Sequence, residues 1–259
     1  MKELELAKQA AFAGGEVVAK YFHSSVQMRE KSVGDLVSDA DIESEQVIAS
    51  TIREAYPDHE ILGEETNKGD PDAEHLWIVD PLDGTHNFAH KIPHFTVSIG
   101  YYREGQAVCG VIHNPIVDSW YEVVRGQGAW HEGRQVKVAD DRRLSETMIA
   151  VGFYYDRGKL MQATLGVIDR LMHKQIHGVR RMGTASLDFA MVGTGSFGAF
   201  FEYCLAPWDF AAGRLFVEEA GGRVTTFHDD PLPMVPCSIL ATNGYLHDQM
   251  LELIQTQFE

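Results

Sequence analysis

The sequence predicts a layered protein of mixed helix and sheet, with an α+β front half (about residues 1–140) and an α/β back half (about 141–259). Three observations carry this. From Phe95 to about Val138, short β-type runs follow one another, separated by Gly, Asn-Pro and Asp-Ser turns, which is the pattern of antiparallel hairpins. After that, strand and helix patterns alternate to the end of the chain, and such elements pack in layers. With 259 residues, 44% of them apolar, the chain can bury a sizeable core.

Each element has a local reason. Leu4, Leu6, Ala7, Ala10, Ala11, Val17, Val18, Tyr21 and Phe22 recur at helical spacing, giving an amphipathic first helix over 4–22. Met28 to Ser38 reads as extended or looped. A second helix runs from about Ile42 to Tyr56, with Ser38 or Asp39 as its N-cap and Pro57-Asp58 as its stop. A short strand, Glu60–Gly63, leads into Glu64-Glu65, and a polar loop covers Thr66–Glu74. Strands are expected at Val108–Ile112, Trp120–Val124 and Gly128–Trp130. In the back half the strands are placed near Met148–Val151, Ile176–Val179, Ala199–Phe201 and Ser238–Ala241. Helices are placed near Lys159–His173, Ala185–Val192, Phe210–Ala220 and Leu246–Gln255. The chain shows no internal repeat and no low-complexity segment.

Composition narrows the function classes. No run approaches the roughly 18 apolar residues of a membrane span. Met1-Lys2-Glu3-Leu4-Glu5 lacks the apolar stretch of a signal peptide. The three scattered cysteines, Cys109, Cys204 and Cys237, suit reduced thiols, so a cytoplasmic location is expected. A net charge of −16 argues against nucleic-acid or anionic-membrane binding through a basic face. It also requires something cationic if the substrate is an anion.

The most informative stretch is Leu76-Trp77-Ile78-Val79-Asp80-Pro81-Leu82-Asp83-Gly84-Thr85. Four apolar residues read as a short buried strand that stops at an acidic turn. On one tight bend Asp80, Asp83 and the carbonyl of Leu82 can converge, and hard cations such as Mg²⁺ take oxygen ligands of this kind. Gly84 lets backbone approach a ligand, and the Thr85 hydroxyl is placed to cap a helix through His86-Asn87-Phe88. Further carboxylates sit at element ends: Asp41, Glu64, and Asp209 beside Pro207, which marks a helix start. Sharing one cleft without a metal, they would raise one another's pKa.

These residues resemble the inositol monophosphatase family. Gly63-Glu64-Glu65, then Asp80–Thr85, then Trp208-Asp209-Phe210-Ala211-Ala212-Gly213 are similar to its three signature blocks, in order. Asp35–Asp41 resembles the block before them, and Arg181–Ser186 the substrate-loop block. The resemblance implies one domain over 1–259, a layered αβαβα sandwich that is usually a homodimer, and a lithium-sensitive, Mg²⁺-dependent phosphomonoesterase using two to three ions. It implies Glu64, Asp80 and the Leu82 carbonyl as ligands of one Mg²⁺, and Asp80, Asp83 and Asp209 as ligands of a second, with Glu64 shared by a weaker third. It further implies that Thr85, held by Asp41, orients the attacking water, and that the N–H groups of Gly84 and Thr85 hold phosphate. Glu202, seven positions before Asp209, would read substrate hydroxyls, and Thr184 and Ala185 would touch the substrate. Lys31 is a weaker match for a phosphate neutraliser.

Inositol 1-phosphate is the expected substrate. Histidinol phosphate, fructose 1,6-bisphosphate or a 3′-phosphonucleotide are the alternatives on this fold, because Gly152–Asp156 lies where members diverge. A regulatory binding protein that kept the fold is the alternative of another class. His86, His90 and His94 sit four apart, but Pro93 interrupts a shared helical face, which argues against zinc there. Gly193–Gly198 lacks the Gly-Lys-Ser/Thr ending of a phosphate loop and reads as a turn.

Overall fold

The computed structural model describes residues 1–24, 28–32 and 35–256, without the side chains of 31, 32 and 35; the side chain of Lys31 therefore lies outside the described residues. Helices α1 (Lys2–Phe22) and α2 (Asp39–Ala55) flank a hairpin of β1 (Arg29–Ser32) and β2 (Asp35–Val37). Next come β3 (Glu60–Gly63), β4 (His75–Asp83) and the short α3 (Thr85–Ala89). A meander follows: β5 (Thr96–Arg103), β6 (Gln106–Asn114), β7 (Ser119–Val124), β8 (Gly128–His131) and β9 (Arg134–Val136). The back half contains β10 (Met148–Val151), α4 (Lys159–His173), β11 (Gly178–Arg180), α5 (Ala185–Gly193) and β12 (Ala199–Leu205). It ends with α6 (Pro207–Glu219), β13 (Arg223–Thr225), β14 (Cys237–Thr242) and α7 (His247–Gln255).

The elements stack in αβαβα order. One outer layer is α1 with α2, followed by a seven-stranded sheet in the order β3-β4-β5-β6-β7-β8-β9. Helices α5 and α6 fill the middle. Then come a five-stranded sheet, β11-β10-β12-β14-β13, and finally α4 with α7. Side-chain alternation builds this. On β4, Trp77 and Val79 enter the core shared with α1 and α2, while Leu76 and Ile78 enter the core shared with α6. On β10, Ile149 and Val151 face α4 and α7, whereas Ala150 faces Phe189 and Phe210 of the middle layer. A strand covered on both faces reads as a continuous apolar run, which is why Leu76–Val79 shows no alternation. No helix among the described residues is long and apolar enough to cross a membrane.

Several expectations need correction. Strand β4 does not stop at Val79: it continues through an irregular register to pair Asp83 with Thr96 of β5. Pro81 is tolerated because it falls in that irregular stretch, where no ladder donor is required. Gly84, not Thr85, is the N-cap of α3, at a left-handed φ of 97°. Thr184 Oγ1 would lie 2.5 Å from any Cβ there, so both conformation and space call for glycine. The back sheet is mixed: β10 runs parallel to β11 and β12, but β14 is antiparallel to β12 and β13. The three-residue β13 was not expected, because it is too short to show a period. Helix α6 starts at Pro207, which places Asp209 inside its first turn.

That helix lies close against the front sheet. A Cβ on Gly100 would meet the Ala211 Cβ at 3.0 Å, and one on Gly110 would meet the Ala212 Cβ at 3.0 Å. Small residues on both sides thus set how near α6, and Asp209 with it, comes to β5 and β6. Gly100→Val should cost about 1–3 kcal/mol through overpacking. A urea midpoint unchanged from wild type would show that the helix is not seated by this approach.

Candidate active site

Sheet and helix ends open onto one cleft of about 380 Å³, lined by Glu64, Asp80, Leu82, Asp83, Thr85 and Asp209, and also by Arg181, Asp188 and Glu202. The structure therefore brings together the acidic residues expected from the sequence. Leu82, Gly84, Thr184 and Ala185 line the same cleft. Asp41 does not line it; fully buried on the first turn of α2, it reaches the site through Thr85.

Local structure fixes each group. The Ser38 Oγ accepts from the Ala40 N–H at 3.2 Å, and Ser38 N–H and Oγ both donate to Asp41 Oδ2, at 2.8 and 2.7 Å, closing a capping box. Asp41 Oδ1 is left facing Thr85 Oγ1 at 3.4 Å, and the Leu82 carbonyl lies 3.1 Å from the same hydroxyl. The Thr85 hydroxyl thus has two acceptors for its proton, and its lone pairs are open to a further donor. Asp80 Oδ1 accepts from the Leu82 N–H at 3.0 Å across the irregular part of β4. Asp83 accepts from Ser186 N–H at 2.6 Å, Ser186 Oγ at 2.5 Å and Ala185 N–H at 3.2 Å, all at the start of α5. Asp209 Oδ2 accepts from the Ala206 N–H at 2.6 Å.

The electrostatics are adverse for a bare protein. Burial, then the charges of Glu64, Asp83 and Asp209, push Asp80 well above the usual carboxylate range. Asp209 is pushed up in the same way, by burial and then by Asp83 and Glu64. Burial raises Asp83 to about 6, against the pull of its Ser186 and Ala185 donors. The strongest charges felt by Asp80 and Asp209 are all negative.

Among the described residues no three His, Cys, Asp or Glu side chains already form a closed ion cage. The donor set nevertheless fits a hard divalent cation: all donors are oxygens, each carboxylate keeps lone pairs beyond its backbone contact, and a cation would offset the repulsion.

Sequence reasoning missed three groups and the role of a fourth. Asn87 Nδ2 donates to the carbonyls of His94 at 2.8 Å and Met182 at 2.9 Å, tying α3 to the loop before α5. Thr184 Oγ1 donates to the His94 carbonyl at 2.7 Å, so this hydroxyl is spent on structure although other atoms of Thr184 line the cleft. Lys68 Nζ donates to the Glu64 carbonyl at 2.8 Å and sits 5.5 Å over the Trp208 ring. Buried Asp188 has an Oδ1 without a hydrogen-bond partner. Asn87, Lys68 and Asp188 lie outside the acidic blocks, and a lone polar residue on a helix or in a loop gives no periodic signal. Thr184 was legible as a site residue but not in this role.

The family model described as the inositol monophosphatase family matches residues 2–259. The chain belongs to the inositol monophosphatase family. It is 41% identical over 236 residues to inositol-1-monophosphatase of Caulobacter vibrioides, covering 90% of this chain and 92% of that one. It is 36% identical over 251 residues to Nus factor SuhB of Escherichia coli K12, covering 96% of this chain and 94% of that protein. The crystal structure of extragenic suppressor protein suhB from Bartonella henselae superposes with a TM-score of 0.92 at 36% identity, covering 98% of this chain and 99% of that one. The layered fold is thus the family's own, and the family supports a phosphatase.

Glu202 lines the cleft beside Gly152, where an added Cβ would collide with its Oε2. Burial raises it to about 8, with the Arg181 charge pulling it down and the Asp83 charge pushing it up. The unfolded carboxyl has its ordinary value of 4.5, so between about 4.5 and 8 the native state holds a proton that the unfolded chain releases. Stability should therefore fall as pH rises through that window in the metal-free protein. Glu202→Gln should remove the effect, so that its melting temperature gains on wild type from pH 5 to pH 8. A difference that does not change with pH would place Glu202 in a solvated setting instead.

Proposed function

We propose that the protein is a Mg²⁺-dependent phosphomonoesterase acting on a small sugar-alcohol phosphate, inositol 1-phosphate first. The observation that carries this reading is the Asp80–Asp83–Asp209 cluster and the Thr85 hydroxyl in one cleft, with a capped, buried Asp41 behind Thr85. Glu64, Asp80 and the Leu82 carbonyl, and Asp80, Asp83 and Asp209, would hold the ions. Bound Mg²⁺ supplies the positive charge that draws phosphate into an acidic pocket and stabilises the transferring phosphoryl group.

The chain's own groups do the rest. Thr85 passes its hydroxyl proton toward Asp41 or the Leu82 carbonyl, which leaves its oxygen to accept from the attacking water and aim it. The N–H groups of Gly84 and Thr85 face the phosphate oxygens. Glu202 accepts hydrogen bonds from leaving-group hydroxyls in the cleft. Cys204 lines the cleft, but burial and the charges of Glu202 and Asp209 raise its thiol and keep it a poor nucleophile, so the attack is assigned to water. A cytoplasmic homodimer without nucleic-acid or membrane partners belongs to the same reading.

A second reading has a specific observation behind it: relatives of comparable similarity bear the name Nus factor. A regulatory partner is thus compatible with this fold, and the ligand carboxylates retained here favour catalysis beside it.

Two outcomes follow. Thr85→Ala should lower kcat about 10²–10⁴-fold while leaving Mg²⁺ affinity intact, as expected for loss of a proton-transfer relay. Calorimetry in which Mg²⁺ affinity collapses with the rate would make Thr85 a ligand. Assayed above about pH 8, where its carboxyl is ionised, Glu202→Gln should lower kcat/KM about tenfold or more on inositol 1-phosphate, because charged hydrogen bonds contribute roughly 1.5–3 kcal/mol each. Turnover of an aryl phosphate, without ring hydroxyls, should stay close to wild type. An equal loss on inositol 1-phosphate, histidinol phosphate and aryl phosphate would assign Glu202 to the metal or structural framework.

A further inference from the structure

Helix α2 does more than present Asp41. One turn further on, Ser44 Oγ donates to the Pro81 carbonyl at 3.2 Å. Beside it, the fully buried Glu45 carboxylate meets the loop that follows β3. Its Oε2 accepts from the Glu65 N–H at 2.7 Å. Its Oε1 accepts from Thr66 N–H, Thr66 Oγ1, Asn67 N–H and Asn67 Nδ2, at 2.7, 2.7, 2.8 and 2.9 Å. Residues 41, 44 and 45 are i, i+3 and i+4, so they share one helical face. That face addresses Thr85, Pro81 and the 65–67 loop, and Glu64 lies between the last two.

Other features make sense only with this carboxylate in place. A Cβ on Gly63 would come within 2.5 Å of Glu45 Oε2, so the glycine of the Gly63-Glu64-Glu65 block is the space through which Glu45 reaches the loop. Three consecutive loop amides, 65 to 67, point inward at one anion, which an extended or helical loop would not do. Lys68 Nζ donates to the Gly63 and Glu64 carbonyls of the same loop. Burial alone would push Glu45 up, yet its donors hold it below the usual range, so it stays an anion.

We propose that Glu45 is a positioning residue for Glu64: it acts as a buried anionic anchor that winds the 63–67 loop so that the Glu64 carboxylate faces the Asp80–Asp83 pair. Glu45 touches neither substrate nor ion. The inference rests on the proposed metal-dependent function for its importance, but not for its geometry. Partners that orient a metal ligand typically change metal affinity by 10–100-fold when removed.

The test uses the intact metal-free protein and Glu45→Gln, which keeps shape but turns an amide NH₂ toward N–H groups that need an acceptor. Two quantities are measured: exchange rates of the amides at 65, 66 and 67 without metal, and Mg²⁺ affinity by calorimetry. The variant should expose the three amides to faster exchange, with the core strands unchanged, and should bind Mg²⁺ about tenfold more weakly. Leu171→Ala, in the distant α4 core, controls for lost stability and should leave Mg²⁺ affinity at the wild-type value. If Glu45→Gln does not fold, Thr66→Val removes one donor from the same carboxylate and should give the same two changes, at about threefold. Unchanged Mg²⁺ affinity in a folded variant overturns the proposal, as does continued slow exchange at 65–67. If wild type itself binds no Mg²⁺, the proposed function fails, and the exchange arm alone decides whether Glu45 orders the loop.

Discussion

The structure turns on repulsion among buried carboxylates. Asp80, Asp83 and Asp209 come from β4 and the first turn of α6, with Glu64 following β3, and they converge on one cleft with like charges as their strongest neighbours. Left alone, such a group destabilises the fold; its members lose charge or spread apart. The surrounding structure supplies what resists this. Asp83 is held by the start of α5 and Asp209 by the Ala206 amide, so each carboxylate keeps its place while lone pairs remain for a cation. An acidic protein of net charge −16 thereby gains a pocket that an anion can enter once cations are present.

Layering makes this convergence possible. Helix α6 packs mainly on the front sheet and also reaches β13 and β14 of the back one, and glycines 100 and 110 let it lie against the front sheet through Ala211 and Ala212. The Ala-Ala-Gly that closes the block begun by Trp208-Asp209 is thus a packing requirement: Gly213 in turn makes room for Phe189 of α5. Metal chemistry and helix seating are written into the same six residues. Their spacing cannot drift without moving Asp209.

What the sequence showed follows the same division. Elements with a full period or a clear cap signal were legible: α4 begins at Lys159 and ends at His173 and β3 spans Glu60–Gly63, as expected, and Ser38, one of the two expected caps, caps α2. The acidic blocks were legible because a proline and a glycine fix a tight turn, and carboxylates crowded onto such a turn repel unless a cation joins them. Features settled by tertiary context were not. Strand β4 continues past Pro81 because β5 lies beside it, and Gly84 takes the cap because the chain must turn left-handed over Thr184. The short β13 forms because β14 provides an edge for it. Glu45 carries no signal in the sequence beyond its charge, and only the folded loop shows five donors directed at it. Thr184 lines the cleft, but that its hydroxyl donates to the His94 carbonyl shows only in the folded structure.

The central claim is that the carboxylate cluster costs stability until a divalent cation binds it. The most direct measurement is the melting temperature of wild type and Asp80→Asn, each with chelator and with millimolar Mg²⁺. Asp80 is suited to this because burial and three like-charged neighbours raise it. The account predicts that without metal Asp80→Asn melts at or above wild type, since one repelling charge is gone, and that Mg²⁺ raises the wild type by several degrees but leaves the variant nearly unmoved. A wild type indifferent to Mg²⁺, together with an Asp80→Asn variant that melts well below it in chelator, would contradict the account.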